Sequence, residues 1–523
     1  MVEVFTLMDS KQQAVPTIYT ELAHTLHGDV DTTYETLQHN SRDSSPCVVM
    51  PHILVYPKTI SDIKKCIACA EQYHIPLAVK GSGLNASGAA LVGGILIDTT
   101  KYLHQIRTTD MPGNTITVDP GVTCKKIRTH LGAWGLEVPF LTEQDDEATI
   151  GGIVATKNVS PASFESGGIR SWILGISVML HNGEEHMIED GITPSGELLA
   201  IYQQLFPLLG KESATLRGGK PFSQEEATGY NIWTHNIGPR QLIDNIVGSQ
   251  GTLAVITGIK LRTTLKPAHT QTLLITLPTY AQLSTVVEIS KHHGVRSLHM
   301  YDSTLEQINS KQPVSKGEHA LTVVATLAGN DAHTLHQAVD RYSKAISLPE
   351  VSVIIADAHY SAAPFTNYEH MRSALTSYAQ GSFIPSFTTT GLLVPISSLG
   401  KVLEEIDAYH AAKRLMYCVS GNPGSGHISV ITLIPETPAS FPEKVIEATK
   451  DLFLIIKKYN GGIGAVSGDG LVGTPFLPLF YSETIRNIFT QVKQIWDPHN
   501  IFNPGKKQDL TLNYVQDRIT LEN

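Results

Sequence analysis

The chain has 523 residues, enough for two or three domains. Hydrophobic residues make up 41% and charged residues 17%, which suits packed cores and excludes wholesale disorder. A formal net charge of -10 excludes nucleic acid as the main partner, because phosphate binding needs concentrated Lys and Arg.

Residues 1–45 are polar, with helical character around 18–26, and read as an N-terminal extension. The first dozen residues carry Glu3 and Asp9 and no basic stretch followed by an apolar run, so they do not read as a secretion signal. No stretch approaches the roughly 18 apolar residues of a spanning helix. The expectation is a cytoplasmic protein, with peripheral membrane attachment left open. From Val48 the pattern tightens. Residues 53–56 form a short strand ending at Pro57. Ser61 can cap a helix running to about Tyr73, with Asp62 favoured in its first turn. Cys66 and Cys69 lie inside that helix, not before it, so the lone CxxC reads as two small core residues. Five scattered cysteines suit a reducing compartment and are too few and too dispersed for an iron–sulfur cluster.

Residues 77–80 form the next strand and run straight into a loop, KGSGLNASG (80–88). Closely spaced glycines let successive N–H groups turn inward as an anion nest. The loop lacks the Gly-Lys-Ser/Thr ending of a Walker motif and the GxGxxG spacing of a Rossmann turn. Strands follow at 95–98, 116–118, 173–181 and 253–263. A helix is expected at 123–133, with Gly135 just past its end, and Asn182-Gly183 marks a hairpin turn. Farther on, strand-like runs at 272–277, 320–326, 351–356 and 428–433 alternate with amphipathic helices at 280–292, 332–345 and 399–411. That pattern predicts an α+β unit with an antiparallel sheet. Helices at 442–459 and 482–496 flank a glycine-rich segment, 461–473. The expected domains are an extension (1–45), a first α+β domain (46–265), a second (266–440) and a C-terminal helical segment (441–523).

Six segments, in order, carry a resemblance. They are VKGSGLNASGA (79–89) with GGILID (93–98), VDPGVT (118–123), ATIGGIVAT (148–156), TGY (228–230), GSQGTLAVIT (248–257) and WDPHNIFNPGK (496–506). Together they resemble the vanillyl-alcohol-oxidase, or PCMH-type FAD-binding, superfamily, nearest its branch of glycolate oxidase subunits, D-lactate and D-2-hydroxyglutarate dehydrogenases. The resemblance implies a PCMH-type FAD-binding domain at 46–265, an α+β cap holding substrate, and a C-terminal segment returning to the flavin. It assigns cofactor contacts to Lys80, Gly81, Ser82, Gly83, Leu84, Asn85, Ala86, Ser87 and Gly88. Others fall to Pro120, Gly121 and Val122, to Thr149, Gly151, Gly152, Ala155 and Thr156, and to Gly251, Val255, Ile256 and Asn503. The glycine loop has no His, Cys or Tyr, and residues 158–171 have no His or Cys, so FAD is expected to be held non-covalently.

The resemblance breaks at two places. The branch's metal motif, H-x-G-D-G-N-x-H, corresponds here to SGNPGSGH (420–427), which keeps His427 but has Ser420 at the first ligand position. Its G-E-H-G-D-G motif corresponds to AVSGDG (465–470), with Val466 and Ser467 in place of the acidic ligand and the His. One His cannot hold a zinc or manganese ion that needs three or four ligands, so no catalytic metal is expected. His427, Asp469, Tyr230 and Lys157 stand as catalytic candidates, with Arg170 beside them. Lys157 replaces the family's Asn, and turning to solvent or pairing with Glu165 is its bland reading.

The implied function is an FAD-dependent oxidoreductase acting on a CH–OH group. It would move hydride from a hydroxy acid or other small hydroxyl substrate to flavin N5, with oxygen, a quinone or a carrier protein as electron acceptor. A homodimer is compatible with the sequence. Two rivals remain: an FAD-binding scaffold or complex subunit with lost or altered catalysis, and a non-redox FAD-dependent synthase.

Overall fold

A computed structural model describes residues 2–233, 238–314, 320–357, 360, 363–379, 382–435 and 440–520. The N-terminal half holds two sheets. The first has four strands: β1 (Asp29–Asp31), β2 (Ile53–Tyr56), β3 (Leu77–Lys80) and β4 (Ile95–Asp98), ordered β1-β2-β4-β3. β2, β4 and β3 run parallel, and β1 adds an antiparallel edge. The helix Ile60–Gln72 crosses between β2 and β3. Its start is fixed by a capping box in which Thr59 and Asp62 exchange side-chain and backbone hydrogen bonds. Its apolar stripe (Ile63, Cys66, Ile67, Ala70) packs on this sheet together with Ile18 and Leu22. The N-terminal helix, Val2–Thr25, is therefore part of the first core, and residues 29–43 supply an edge strand and part of a cavity wall. A polar extension gave no sign of this because only one face of the helix is apolar.

The second sheet is antiparallel. It comprises β5 (Ile106–Asp110), β6 (Thr115–Val118), β8 (Ile173–Met179), β9 (Glu185–Glu189) and β10 (Val255–Arg262), ordered β5-β6-β10-β8-β9. Strand β7 (Leu136–Glu137) pairs instead with β11 (Thr264–Leu265). The helix Cys124–Gly132 begins where Thr123 accepts a hydrogen bond from the Lys126 N–H. All five cysteines are free and buried among the described residues.

The cap is a seven-stranded, wholly antiparallel sheet. Its strands are β12 (His269–Leu277), β13 (Ser297–Asp302), β14 (Leu321–Gly329), β15 (Ser352–Ile355), β16 (Phe383–Leu393), β17 (Met416–Gly421) and β18 (His427–Pro435). The order is β15-β12-β14-β13-β17-β18-β16. The helices Leu283–His292, Ala332–Ala345, Leu399–Lys413 and Phe441–Lys458 cover its apolar face in one large core. The helix Glu483–Trp496, capped by Ser482, returns to the N-terminal half and packs Ile485, Ile488, Phe489, Val492 and Trp496 into its core. Among the described residues no helix is long and apolar enough to cross a membrane.

Candidate active site

Strand β3 delivers the loop 81–88 to the seam between the two N-terminal sheets, where a cavity opens. Lys80, Gly81, Ser82, Gly83, Leu84, Asn85 and Ala86 line it. The opposite wall is built from Pro120, Thr149, Gly151, Gly152, Ala155 and Thr156, and a third side from Gly251, Val255 and Ile256. These segments pack closely. A Cβ on Gly81 would stand 2.0 Å from Thr149 Oγ1, displacing the side chain that caps the next helix, and one on Gly151 would stand 2.7 Å from Pro120 O, pushing the 149–152 loop off the Pro120 backbone. Thr149 also caps the helix Ile150–Thr156, its hydroxyl accepting from the Gly152 N–H at 3.3 Å.

Five residues assigned to the cofactor back the wall instead of lining it. Ser87 donates to Ser467 O at 2.8 Å, Gly88 sits against Leu471, and Gly121 is pressed against Thr99 O and Leu103 O. Val122 is core. Asn503, expected to reach the flavin, spends its amide on Ala89 O (2.6 Å) and Gln250 O (2.8 Å). It fastens the closing loop to two cavity walls. Lys506 reinforces that fastening through Asn503 Oδ1 at 2.7 Å, and its burial pushes its pKa down to about 7.

The four catalytic candidates lie outside the cavity lining. His427 is buried, with Nε2 2.7 Å from Thr390 O and Nδ1 accepting from the Asn422 N–H at 3.3 Å. Burial pushes its pKa down to about 4, so it is neutral at pH 7. Asp469 accepts from the Gly229 N–H at 2.7 Å and pairs with Lys507 at 3.0 Å, both side chains fully buried. Burial raises the Asp469 pKa against the pull of Lys507. The Tyr230 hydroxyl meets Thr252 Oγ1 at 2.8 Å. Lys157 neither faces solvent nor pairs with Glu165; it is buried and donates to Glu226 O at 3.2 Å. Arg170 is tied to Asp244. Each of these residues is thus bonded to protein, although Asp469 Oδ1 is buried without a partner, and none lines the cavity. At the first position of the degenerate metal motif, Ser420 donates to Phe365 O at 2.9 Å beside His299.

The wall also holds polar groups that the sequence did not reveal. Asn40, Arg42 and Asp43 come from the N-terminal segment, and Lys80 donates to Asn40 Oδ1 at 2.7 Å. Asp43 Oδ2 and Gln144 Oε1 are buried there with no hydrogen-bond partner. Burial pushes the Asp43 carboxyl up to about 6 and the Asp145 carboxyl up to about 7. Asp145 accepts from Thr142 and from the Asn158 amide (3.1 Å) beside the 149–152 loop. Buried acceptors left without partners are costly, so a ligand carrying donors fits this cavity. Gly251, in the left-handed region at φ +66°, has nothing within 4 Å of where its Cβ would stand. A flat ring can approach that backbone. Among the described residues lining the cavity none is His, Cys or Tyr, the side chains that tether flavins covalently.

Residues 51–188 match the family model described as FAD binding domain, and residues 266–507 match FAD linked oxidases, C-terminal domain. The chain belongs to the FAD-linked oxidases, flavoprotein oxidoreductases with a PCMH-type FAD-binding fold. FAD is its cofactor, held non-covalently as is typical of the family. The glycolate oxidase subunit GlcD of Bacillus subtilis is 23% identical over 461 residues, covering 87% of this chain and 89% of that protein. The probable mitochondrial D-lactate dehydrogenase of Danio rerio is 23% identical over 486 residues, covering 91% and 88%. The D-2-hydroxyglutarate dehydrogenase of Escherichia coli is 22% identical over 514 residues, and the chain spans 50% of its length. Among solved structures, 4-ethylphenol oxidase from Gulosibacter chungangensis superposes with a TM-score of 0.70 at 15% identity, over 96% of this chain and 98% of that one. An alkyldihydroxyacetonephosphate synthase superposes at 0.67 and 14% identity, over 94% and 86%. At these identities the structural likeness is one of fold.

Proposed function

We propose that the protein is an FAD-dependent dehydrogenase or oxidase for a small hydroxy acid bound between the FAD-binding region and the cap. One observation carries this reading. A second cleft of about 680 Å³ opens between the two regions, and Gln144 belongs to both its wall and the flavin cavity's. Its size suits a small molecule. Lys125, Arg128, Lys266 and Arg296 line it against Glu137, Glu143 and Asp146, with His299 and Tyr360 on the cap side. The named relatives act on glycolate, D-lactate and D-2-hydroxyglutarate, all hydroxy acids. Lys125 and Lys266 are the cleft's cations for a carboxylate in this reading, since Arg128 is paired with Asp146 and Arg296 with Glu137.

FAD, when bound, supplies a two-electron acceptor. Lys80, the 81–86 loop and Arg42 would hold its pyrophosphate, and Thr149, Gly151, Gly152 and Gly251 would let its ring approach. A base must reach the substrate hydroxyl. His427 is committed to Thr390 O and lies outside the cavity wall, so Asp145 takes that role here: it lines the flavin cavity next to Gln144, would exchange a hydrogen bond from Thr142 or Asn158 for the substrate hydroxyl, and a carboxyl near 7 both accepts and returns a proton. No metal ligation by His427 enters the scheme, because both its ring nitrogens are engaged.

The test is anaerobic absorbance of the FAD-loaded protein during titration with glycolate, D-lactate, D-2-hydroxyglutarate, alcohols and sugars. Bleaching by a hydroxy acid is expected. A band that dithionite bleaches and no hydroxyl compound touches would overturn the reading. It would favour the altered-catalysis alternative, which the engagement of both His427 ring nitrogens supports.

A further inference from the structure

Glu71, His181 and His499 place three ligand atoms, one from each, within 4.8 Å of one another, away from the flavin cavity and the cleft. They come from three separate segments. Glu71 lies in the last turn of the helix Ile60–Gln72, His181 follows β8 at the hairpin turn, and His499 follows the helix Glu483–Trp496. His499 Nδ1 is 2.9 Å from Glu71 Oε1, and His181 Nδ1 is 3.5 Å from the same oxygen.

The His181 ring supplies a second, independent observation. Its Nε2 lies 3.3 Å from Glu197 Oε1, a carboxylate oxygen that can only accept, so Nε2 carries the hydrogen. His181 Nδ1 is buried, has no hydrogen-bond partner and lies 3.5 Å from Glu71 Oε1. A ring nitrogen left unpartnered beside a carboxylate is where a cation can be shared between the two. A carboxylate that fixes the tautomer of a histidine by its outer nitrogen is the usual support of a metal-ligating imidazole.

We propose that Glu71, His181 and His499 form a divalent transition-metal site, with zinc the best fit and Glu197 orienting His181. Two imidazoles and one carboxylate suit zinc, with water as the fourth ligand. Tetrahedral bonds of about 2.0–2.1 Å separate ligand atoms by roughly 3.3 Å, between the 3.5 Å of His181–Glu71 and the 2.9 Å of His499–Glu71, so the half-exposed His499 has to draw back slightly to admit the ion. The ion is structural. It joins the helix before β3, the β8–β9 turn and the start of the closing segment, where Phe502 bridges to Leu77.

The experiment is equilibrium dialysis of the tag-free, FAD-loaded protein against micromolar zinc chloride, with elemental analysis and a melting curve. X-ray absorption then counts the ligands. The expected result is one zinc per chain, bound through two imidazoles and a carboxylate, with a raised melting temperature. Glu197→Gln should weaken zinc binding about 10–100-fold, and His499→Gln, at a half-exposed position outside the cores, should weaken it further. Both variants should keep their flavin band. No zinc retained by the wild type would overturn the proposal, as would His499→Gln retaining zinc like the wild type or a ligand count without two imidazoles.

Discussion

The flavin cavity and the His427 cluster of the cap are both buried and polar, and they treat their polar atoms in opposite ways. At the cavity, Gln144 Oε1 and Asp43 Oδ2 have no protein partner, and the Asp145 carboxyl stands near 7. At the cluster, His427, His299, Asn422, Ser420 and Ser429 all bond to one another or to backbone carbonyls. A wall with unused acceptors is built for a ligand; a closed network holds a sheet together. The residue types alone would have given the reverse reading, because histidines draw the eye and a glutamine does not.

The sharpest way to break this comparison is Asp145→Asn. The rate of substrate-driven flavin reduction should fall about 10²–10⁴-fold while the flavin content stays unchanged. In the wild type the rate should rise with pH through about 7, since the base must be deprotonated, and the variant should lose that limb. A variant with normal reduction removes Asp145 from the chemistry.

Gly81→Ala attacks the other half. Its Cβ would meet Thr149 Oγ1 at 2.0 Å, and FAD affinity should drop about 100-fold, near 2.8 kcal/mol, read as flavin loss on dilution. His427→Gln should act on stability and not on chemistry. Losing a buried imidazole's bonds costs about 1–3 kcal/mol, measured by chemical denaturation, with the reduction rate per bound flavin kept. The sign of the pH effect follows from its lowered pKa. The unfolded chain takes up a proton at about 6.5 and the folded chain only at about 4, so wild-type stability falls as pH drops from 6.5 towards 4. The variant should show a shallower fall. Lys80→Met is expected to be the mildest change, weakening FAD about tenfold, or 1.4 kcal/mol, because the backbone N–H groups of the 81–86 loop would still be available to the phosphates.

Much of the cavity was legible because its function is written locally. Gly81, Gly83 and Gly151 leave no room for a side chain where they stand, and Thr149 caps the next helix by accepting from the N–H three residues on. The alternation of β12, β14 and β18 likewise marked an antiparallel cap. Within the cap sheet three strands escaped. β16 carries Pro385 and a Ser/Thr run in a strand whose partner β18 lies past a helix and a further strand. β13 and β17 are short and contain polar residues whose partners lie on the neighbouring strand or beyond. Asp145 and Asp43 were invisible for a different reason. Their raised pKa comes from burial by segments far away in sequence, and a turn aspartate looks the same whether or not another loop covers it. Asn503 bonds Ala89 and Gln250 behind the cavity wall, partners that spacing could not show, because spacing cannot tell a side chain that touches a ligand from one that holds the wall behind it.

The amide of Asn503 joins Ala89 to Gln250 across separations of 414 and 253 residues. Synthesis runs from the N-terminus, so the phosphate loop leaves the ribosome long before the residue that locks it. Closing such long loops is slow, and an open cavity waits through most of translation. Flavin loading is therefore a late event. A ribosome-stalled chain ending before residue 503 should carry both N-terminal sheets and hold FAD poorly, and release of the last segment should set the moment at which the cofactor stays.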